Sequence, residues 1–290
     1  MTIVNQKPAY WVTVRDNFWS FLIAEQGAGR MYEPTIYRSP VVKSIGLKKS
    51  TNENSIYASG IVYDYSRQVQ GGEISLEAVA LDHVLLDKAT GAENVDGFVY
   101  DSSGDVTKEF AFGYYMEQRD SGYVYYWHPR CLLTADDESV ETSTDNAPDP
   151  KQSYTIKALP TSEGVWRTRY YTKDADGTPL TPEEFFSYVR YSKLPQAAAV
   201  TLGTAKVGTA CSATVTYADG ASPSSPTVVY SWLIGDSADG DFAEISGATS
   251  ASYTPVAGNA TKYIKCRAAV SGSAVGYVES AAALVAAAGA

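Results

Sequence analysis

YSWLIGDSADGDFAEISGATSASYTP, residues Tyr230–Pro255, sets a tryptophan in a short apolar run, then an acidic glycine turn, then a second turn closing on alternating aromatic and hydroxyl residues. The run that contains the tryptophan, VVYSWLIG, places Val228, Tyr230 and Trp232 at every second position, and a β-strand puts such positions on one face. Working outward, TACSATVTY alternates Cys211, Ala213, Val215 and Tyr217 with Ser212, Thr214 and Thr216. YIKCRAAV alternates Ile264, Cys266, Ala268 and Val270 with Lys265, Arg267 and Ala269. Three separate strands therefore present Cys211, Trp232 and Cys266 on their inward faces.

The order Cys211, Trp232, Cys266, with SWLIG and then ISGATSASYTP, resembles bacterial and phage immunoglobulin-like domains. The likeness covers roughly residues 200–285, and ISGATSASYTP is its most specific part. It implies a β-sandwich in which Trp232 packs between two sheets, against the strands that carry the cysteines. Antibody domains place a tyrosine two positions before the second cysteine; position 264 here is Ile, and Tyr263 is one place off. Three cysteines in 290 residues make no disulfide framework. Cys211 and Cys266 read as buried, reduced thiols acting as small hydrophobes, with a disulfide between them as the alternative.

Composition changes near Pro195. Before Gln196 there are 19 Lys and Arg against 27 Asp and Glu; from Gln196 onward there are 4 against 6, so nearly all the charge lies in the first part. The later part is rich in Ala, Ser, Thr and Gly, and Pro195 followed by QAAAV reads as a linker. Two domains are expected, 1–195 and 196–290. The 22 tyrosines against 8 phenylalanines favour pleated, half-buried surfaces and interfaces. A net charge of −10 argues against tight binding to phosphates. The start, MTIVNQKPAYWVTV, has neither a basic n-region nor an apolar h-region, and no 18-residue apolar run follows, so neither a signal peptide nor membrane insertion is expected.

In residues 1–195, GGEISLEAVAL sets Ile74, Leu76, Ala78 and Ala80 against Glu73, Ser75 and Glu77. KEFAFGYYMEQ sets Phe110, Phe112 and Tyr114 against Glu109, Ala111 and Gly113; with the turn RDSG and GYVYYWHP it reads as a hairpin over 108–128. QSYTIKALP and GVWRTRYYT are further strands. Two short helices are predicted. LDHVLLDKATG ends at Gly91, and TPEEFFSYV starts from Thr181 as N-cap, with Pro182 at the first helical position and Glu184 completing a capping box. TADDESVETSTDNAPDPK, 134–151, carries six acids between Asp136 and Asp149 and reads as a solvated loop.

Catalytic motifs are missing from the sequence. There is no HExxH, GxSxG, Walker A or CxxC, and the two histidines, His83 and His128, read as structural or solvated, His128 at a strand end before Pro129. Asp174, Asp176 and Gly177 lack the glutamate that would complete a calcium loop and read as a tight turn. The expectation is a chain that is not an enzyme and carries no cofactor and no metal.

PVVKSIGLKKSTNENSIYASGIVYD, then GGEISLEAVALDHVLLDKATGAE, then FAFGYYMEQRDSGYVYYWHPRCLLTADDESVET and QSYTIKALPT resemble, in that order, the major tail tube protein of long non-contractile phage tails. The likeness spans roughly residues 1–190. It implies a mainly β fold: a tail-tube β-sandwich or half-barrel with one or two short helices, followed by the immunoglobulin-like sandwich. It further implies a structural virion protein, assembled in the host bacterial cytoplasm, whose hexameric rings stack into a tube through which DNA passes without tight binding. The implied partners are other copies of the chain, the tape measure protein, the tail terminator and the distal tail or baseplate protein. The C-terminal module would project outward, with weak adhesion to host-surface polysaccharide multiplied by repetition. Glu73 and Glu77 are candidate lumen-facing acids. The alternative is a bacterial cell-surface adhesin or S-layer-type protein with an immunoglobulin-like module.

Overall fold

The computed structural model describes residues 10–58, 61–120, 122–137 and 151–288. The chain is mainly β, 54% strand and 8% helical, with antiparallel sheets. It divides into two compact units, one of residues up to Leu22 with Tyr32–Tyr191, the other of Ile23–Met31 with Ser192–Ala290. The loop end of the first hairpin thus belongs with the C-terminal residues.

The first unit is built on one sheet. The strands of that sheet are β1 (Trp11–Gln26), β2 (Gly29–Tyr32), β3 (Tyr37–Ser39), β4 (Val42–Ala58), β5 (Ile61–Ala78), β8 (Phe110–Gln118), β9 (Tyr123–Asp137), β10 (Gln152–Ala158) and β11 (Thr168–Tyr171), the part of β1 and β2 from Ile23 to Met31 being counted with the second unit, and there is a small separate hairpin of β6 (Glu93–Val95) and β7 (Phe98–Tyr100). The order across the sheet is β2-β1-β8-β9-β10-β5-β4, with β3 on β1 and β11 on β9. Two helices accompany it, α1 (His83–Thr90) and α2 (Pro182–Phe185). α1 is capped by Asp82, whose side chain accepts from the Val84 amide, and ends on Gly91 in the left-handed conformation. α2 has the capping box read from its sequence, with Thr181 and Glu184 exchanging hydrogen bonds and Pro182 in the first turn.

One face of the sheet buries Trp19, Phe110, Phe112, Ile74, Leu76 and Ile156 together with Leu85 and Ala89 of α1. Trp19 stacks on Phe110 at 4.5 Å and meets Phe112 edge-on at 5.1 Å. The opposite face is also buried where β1, β8 and β9 lie, because Phe185, Phe186 and Val189 pack onto Phe18, Ala111, Tyr125 and Trp127. Phe18 and Phe186 stack at 3.9 Å. Ala111 and Gly113, on the face opposite Phe110, Phe112 and Tyr114, are therefore interior as well. A Cβ at Gly113 would lie 2.8 Å from the Phe186 ring and 2.9 Å from Trp127, so the missing side chain is what admits the aromatic cover.

Three other expectations need correction. Ala80 is exposed, because β5 ends at Ala78. GVWRTRYYT is strand only from Thr168. His128 is not at a strand end: β9 continues through His128 and Pro129 to Asp137. The ladder instead skips there, from Phe112 opposite His128 to Phe110 opposite Cys131. Such a bulge is where a strand tolerates a proline, which has no N–H to donate. The acidic loop expected over 134–151 lies outside the described residues from 138 to 150.

The second unit is a pair of sheets. One holds β12 (Ala197–Leu202), β13 (Cys211–Tyr217) and β16 (Ser252–Tyr253); the other holds β15 (Phe242–Glu244), β14 (Pro226–Gly235), β17 (Tyr263–Gly272) and β18 (Gly276–Glu279), with β19 (Ala283–Leu284) on β17. Val200, Cys211 and Ala213 from the first pack against Trp232, Ile264, Cys266 and Ala268 from the second. Trp232 is fully buried, and its Nε1–H donates to the Ser250 carbonyl at 2.9 Å, so the indole is buried without an orphaned donor. Cys211 and Cys266 are free thiols in this core, as is Cys131 in the first unit. Burial, with Cys211 nearby, pushes the Cys266 thiol up to about 12, so it stays protonated. Within this unit the start of β2 makes a backbone-to-backbone approach to β18: a Cβ on Gly29 would meet the Gly276 carbonyl oxygen at 2.5 Å.

Candidate interaction surfaces

The long hairpin β4–β5 outruns the sheet that holds it. β10 pairs with β5 only from Ala78 to Gly72. Beyond that, among the described strands, β4 and β5 pair only with each other, from Ser50 opposite Gly71 to Ala58 opposite Ile61. At ~3.3 Å per residue this ribbon is about 30 Å long. The departure point is written in the sequence as Gly71-Gly72. Gly71 has φ +128, and a Cβ there would lie 2.2 Å from the Ala158 carbonyl oxygen. Asn52, Glu53, Asn54 and Ser66–Gln70 are exposed, and the Arg67–Glu53 pair at 3.3 Å bridges the strands. A two-stranded ribbon is marginal in water by itself.

The solvent face of β4, β5 and β10 carries both predicted lumen acids. Glu73 is exposed and lies between Lys48 on β4 and Lys157 on β10. Glu77 accepts from the Ser44 hydroxyl at 2.8 Å and pairs with Lys151 at 2.5 Å. Lys151, then Ser44, hold its carboxyl below the usual carboxylate range. The face is thus of mixed sign, with Lys48 and Lys157 beside Glu73 and the charges of Lys151 and Lys43 acting on Glu77. Sequence reasoning found the acids and missed their partners, since Lys48 and Lys157 become neighbours of Glu73 only through strand pairing.

The remaining sequence candidates are accounted for locally. His128 is wholly buried beside Tyr114 and Trp166. Burial and then the charge of Arg167 hold its imidazole down to about 3, partly offset by the Trp166 backbone, so it is neutral near pH 7. His83 opens α1 with an exposed side chain, its Nδ1 3.6 Å from Asp82. Asp174 ends a short 3-10 helix (Thr172–Asp174), and Asp176 and Gly177 lie in the bend after it, with Gly177 at φ +90. In the second unit, apart from these candidates, Asn259 accepts from the Tyr253 hydroxyl at 2.8 Å and the Val256 amide at 2.9 Å, which fixes the loop before β17. Among the described residues, no group of three or more His, Cys, Asp or Glu side chains is placed to hold a metal ion, and no helix is long and apolar enough to cross a membrane.

A surface missed by sequence reasoning follows α1. Residues 94–108 are exposed without interruption, and they include Val95, Phe98, Val99, Tyr100 and Val106. The segment is tied back where the Lys108 amide donates to the Ala89 carbonyl at 3.0 Å. Its signal in the sequence was there to find: VDGFVY is a hairpin motif with apolar residues on both faces.

No protein-family model matches this chain, and no curated protein matches it.

Proposed function

We propose that the chain is a non-enzymatic structural subunit that polymerises, its first unit forming the stacked hexameric rings of a phage tail tube and its second an immunoglobulin-like module displayed outside. The observation that carries this reading is the β4–β5 ribbon, about 30 Å of paired strand that extends past the end of β10, its neighbour in the sheet. A neighbour that lies against such a ribbon supplies the burial it lacks, and repetition of that contact makes a polymer.

On this reading the mixed-charge face of β4, β5 and β10 lines the channel, with Glu73 and Glu77 as lumen residues. Alternating lysines and glutamates offer no run of positive charge for a phosphate backbone to settle on, so DNA slides without being held. The implied partners are further copies of the chain, the tape measure protein, the tail terminator and the baseplate. A weak hold on host-surface polysaccharide by the outer module would gain strength by number.

Negative-stain imaging of the purified chain at high concentration tests the proposal. Rings or hollow tubes are expected. A dispersed monomer, with tape measure and tail-tip proteins also present, would remove it in favour of an adhesin or other monomeric reading.

A further inference from the structure

Strand β11 and the residues before it set two arginines against aromatic rings, with no acid to balance them. Arg169 lies opposite Tyr126 of β9 and Tyr171 opposite Val124, so these side chains share the sheet face that carries α1. The Arg167 guanidinium is 4.7 Å from the centre of the Trp166 ring and 5.9 Å from that of Tyr126. Arg169 is 5.6 Å from the Tyr171 ring and donates to the Tyr171 hydroxyl at 2.9 Å. Tyr114 stacks on Tyr126 at 4.8 Å.

Elsewhere on this sheet arginines hold carboxylates: Arg15 pairs with Glu117, Arg38 with Asp16 and Arg130 with Glu109. Among the described residues Arg167 and Arg169 pair with none; Glu163 and Asp174, the acids nearest in sequence, are exposed and pair with neither. Burial and then the charge of Arg169 hold the Arg167 guanidinium below its ordinary value. The groups that act most against this are Tyr114, Tyr126 and Tyr171, not a carboxylate. His128, two positions along β9 from Tyr126 and on the same face, is wholly buried, its ring 5.7 Å from that of Trp166. Neither of its ring nitrogens has a hydrogen-bond partner among the described residues. A buried polar group left in that condition is rare and costly. Two cations without an anion thus stand near a neutral imidazole whose N–H has no acceptor.

We propose that Arg167 and Arg169 bind a phosphate dianion, free or as the end of a monoester. A guanidinium presents a planar fork that matches phosphate oxygens, and two adjacent cations favour an anion of more than one charge. The hydroxyls of Tyr114 and Tyr126, which have no hydrogen-bond partner among the described residues, are further donors. One phosphate needs only this cluster, whereas a nucleic acid needs a long run of cations, so a net charge of −10 is no obstacle. The mixed-charge face is on the other side of the sheet, because Glu73 alternates with the core residue Ile74. The site is independent of assembly.

The test is equilibrium dialysis of the full chain against labelled inorganic phosphate at constant ionic strength, which counts sites whether or not the chain polymerises. One saturable site per chain is expected. Arg169→Gln, at an exposed position, is expected to weaken it at least about tenfold, the size of one lost charged hydrogen-bonding partner. Arg167→Gln together with Arg169→Gln is expected to abolish it. Phosphate uptake that does not saturate, or that Arg169→Gln leaves unchanged, would overturn the site while leaving self-assembly untouched. Phenyl phosphate tells the two sources apart: it binds more tightly than inorganic phosphate if the site takes a monoester, and no more tightly if it takes the free ion. A second measurement needs no variant. With an arginine-specific dicarbonyl reagent and peptide mapping, phosphate is expected to protect Arg169 but not Arg67, which is exposed on the β4–β5 ribbon. Equal modification of Arg169 with and without phosphate would overturn the proposal.

Discussion

The two units solve the burial problem differently. The second closes two sheets on one core around Trp232, so each strand has an inside and an outside. The first buries both faces of one sheet where β1, β8 and β9 meet, with α1 on one side and the segment after Leu180 on the other. A one-sided strand keeps a period of two in its sequence, whereas a two-sided strand loses it. The difference also sets where each unit breaks, through a single keystone in the second and through layered aromatic contacts in the first.

The largest contrast is expected from Trp232→Ala, which should cost about 3–5 kcal/mol in the second unit and leave the first unchanged. Calorimetry with separate transitions for the two units checks this; a variant that melts as the parent does would place the indole outside the core. In the first unit the matching lesion is an addition. Gly113→Val drives a side chain into Phe186 and Trp127 and should cost about 1–3 kcal/mol, lifting the cover off the sheet. Quenching of tryptophan fluorescence in the variant would report that loosening.

Acid should divide the units further. His128, in the first, has a folded value near 3 against an ordinary 6.5. The folded state therefore binds fewer protons in that window. Its contribution is complete above about pH 6.5 and is lost as pH falls toward 3, by up to ~1.4 kcal/mol per pH unit. The second unit contains no histidine. Its most engaged carboxylate is Glu279, which burial would raise but which hydrogen bonds from Arg267 and Lys265 hold below the ordinary value. That stability is present above the usual carboxylate range and goes only as pH falls below it. The first unit should thus loosen at milder acidity than the second, and His128→Phe should flatten its pH dependence. Equal acid sensitivity in parent and variant would contradict this.

The smallest effect concerns the mixed-charge face. Glu73→Lys puts a third cation abreast of Lys48 and Lys157 on adjacent strands, costing about 0.2–1 kcal/mol. The same change should give the assembled chain a salt-sensitive affinity for DNA. DNA binding that stays absent at low salt would take this face out of the channel.

How much of this was legible follows from the same contrast. The alternation around Cys211, Trp232 and Cys266 marks in the sequence the faces of β13, β14 and β17 that the core buries. The capping box at Thr181 and Glu184 and the stop at Gly91 were equally plain, because capping is a local hydrogen-bond problem. The burial of Ala111 and Gly113 was not legible, since it depends on Phe185 and Phe186 arriving from about 70 residues away. His128 was misplaced because Pro129 reads as a terminator unless the bulge opposite Ala111 is known. The assignment of Ile23–Met31 to the second unit leaves no mark on composition, only the small residue Gly29 where a backbone must come close.

The central claim is that this chain assembles through the β4–β5 ribbon. Sedimentation velocity across a wide concentration range, comparing the full chain with one whose residues 51–69 are replaced by a two-residue turn, tests it most directly. The full chain is expected to sediment as rings and longer polymers, and the shortened chain as a folded monomer at every concentration. Identical sedimentation of the two, whether both as polymers or both as monomers, would contradict it.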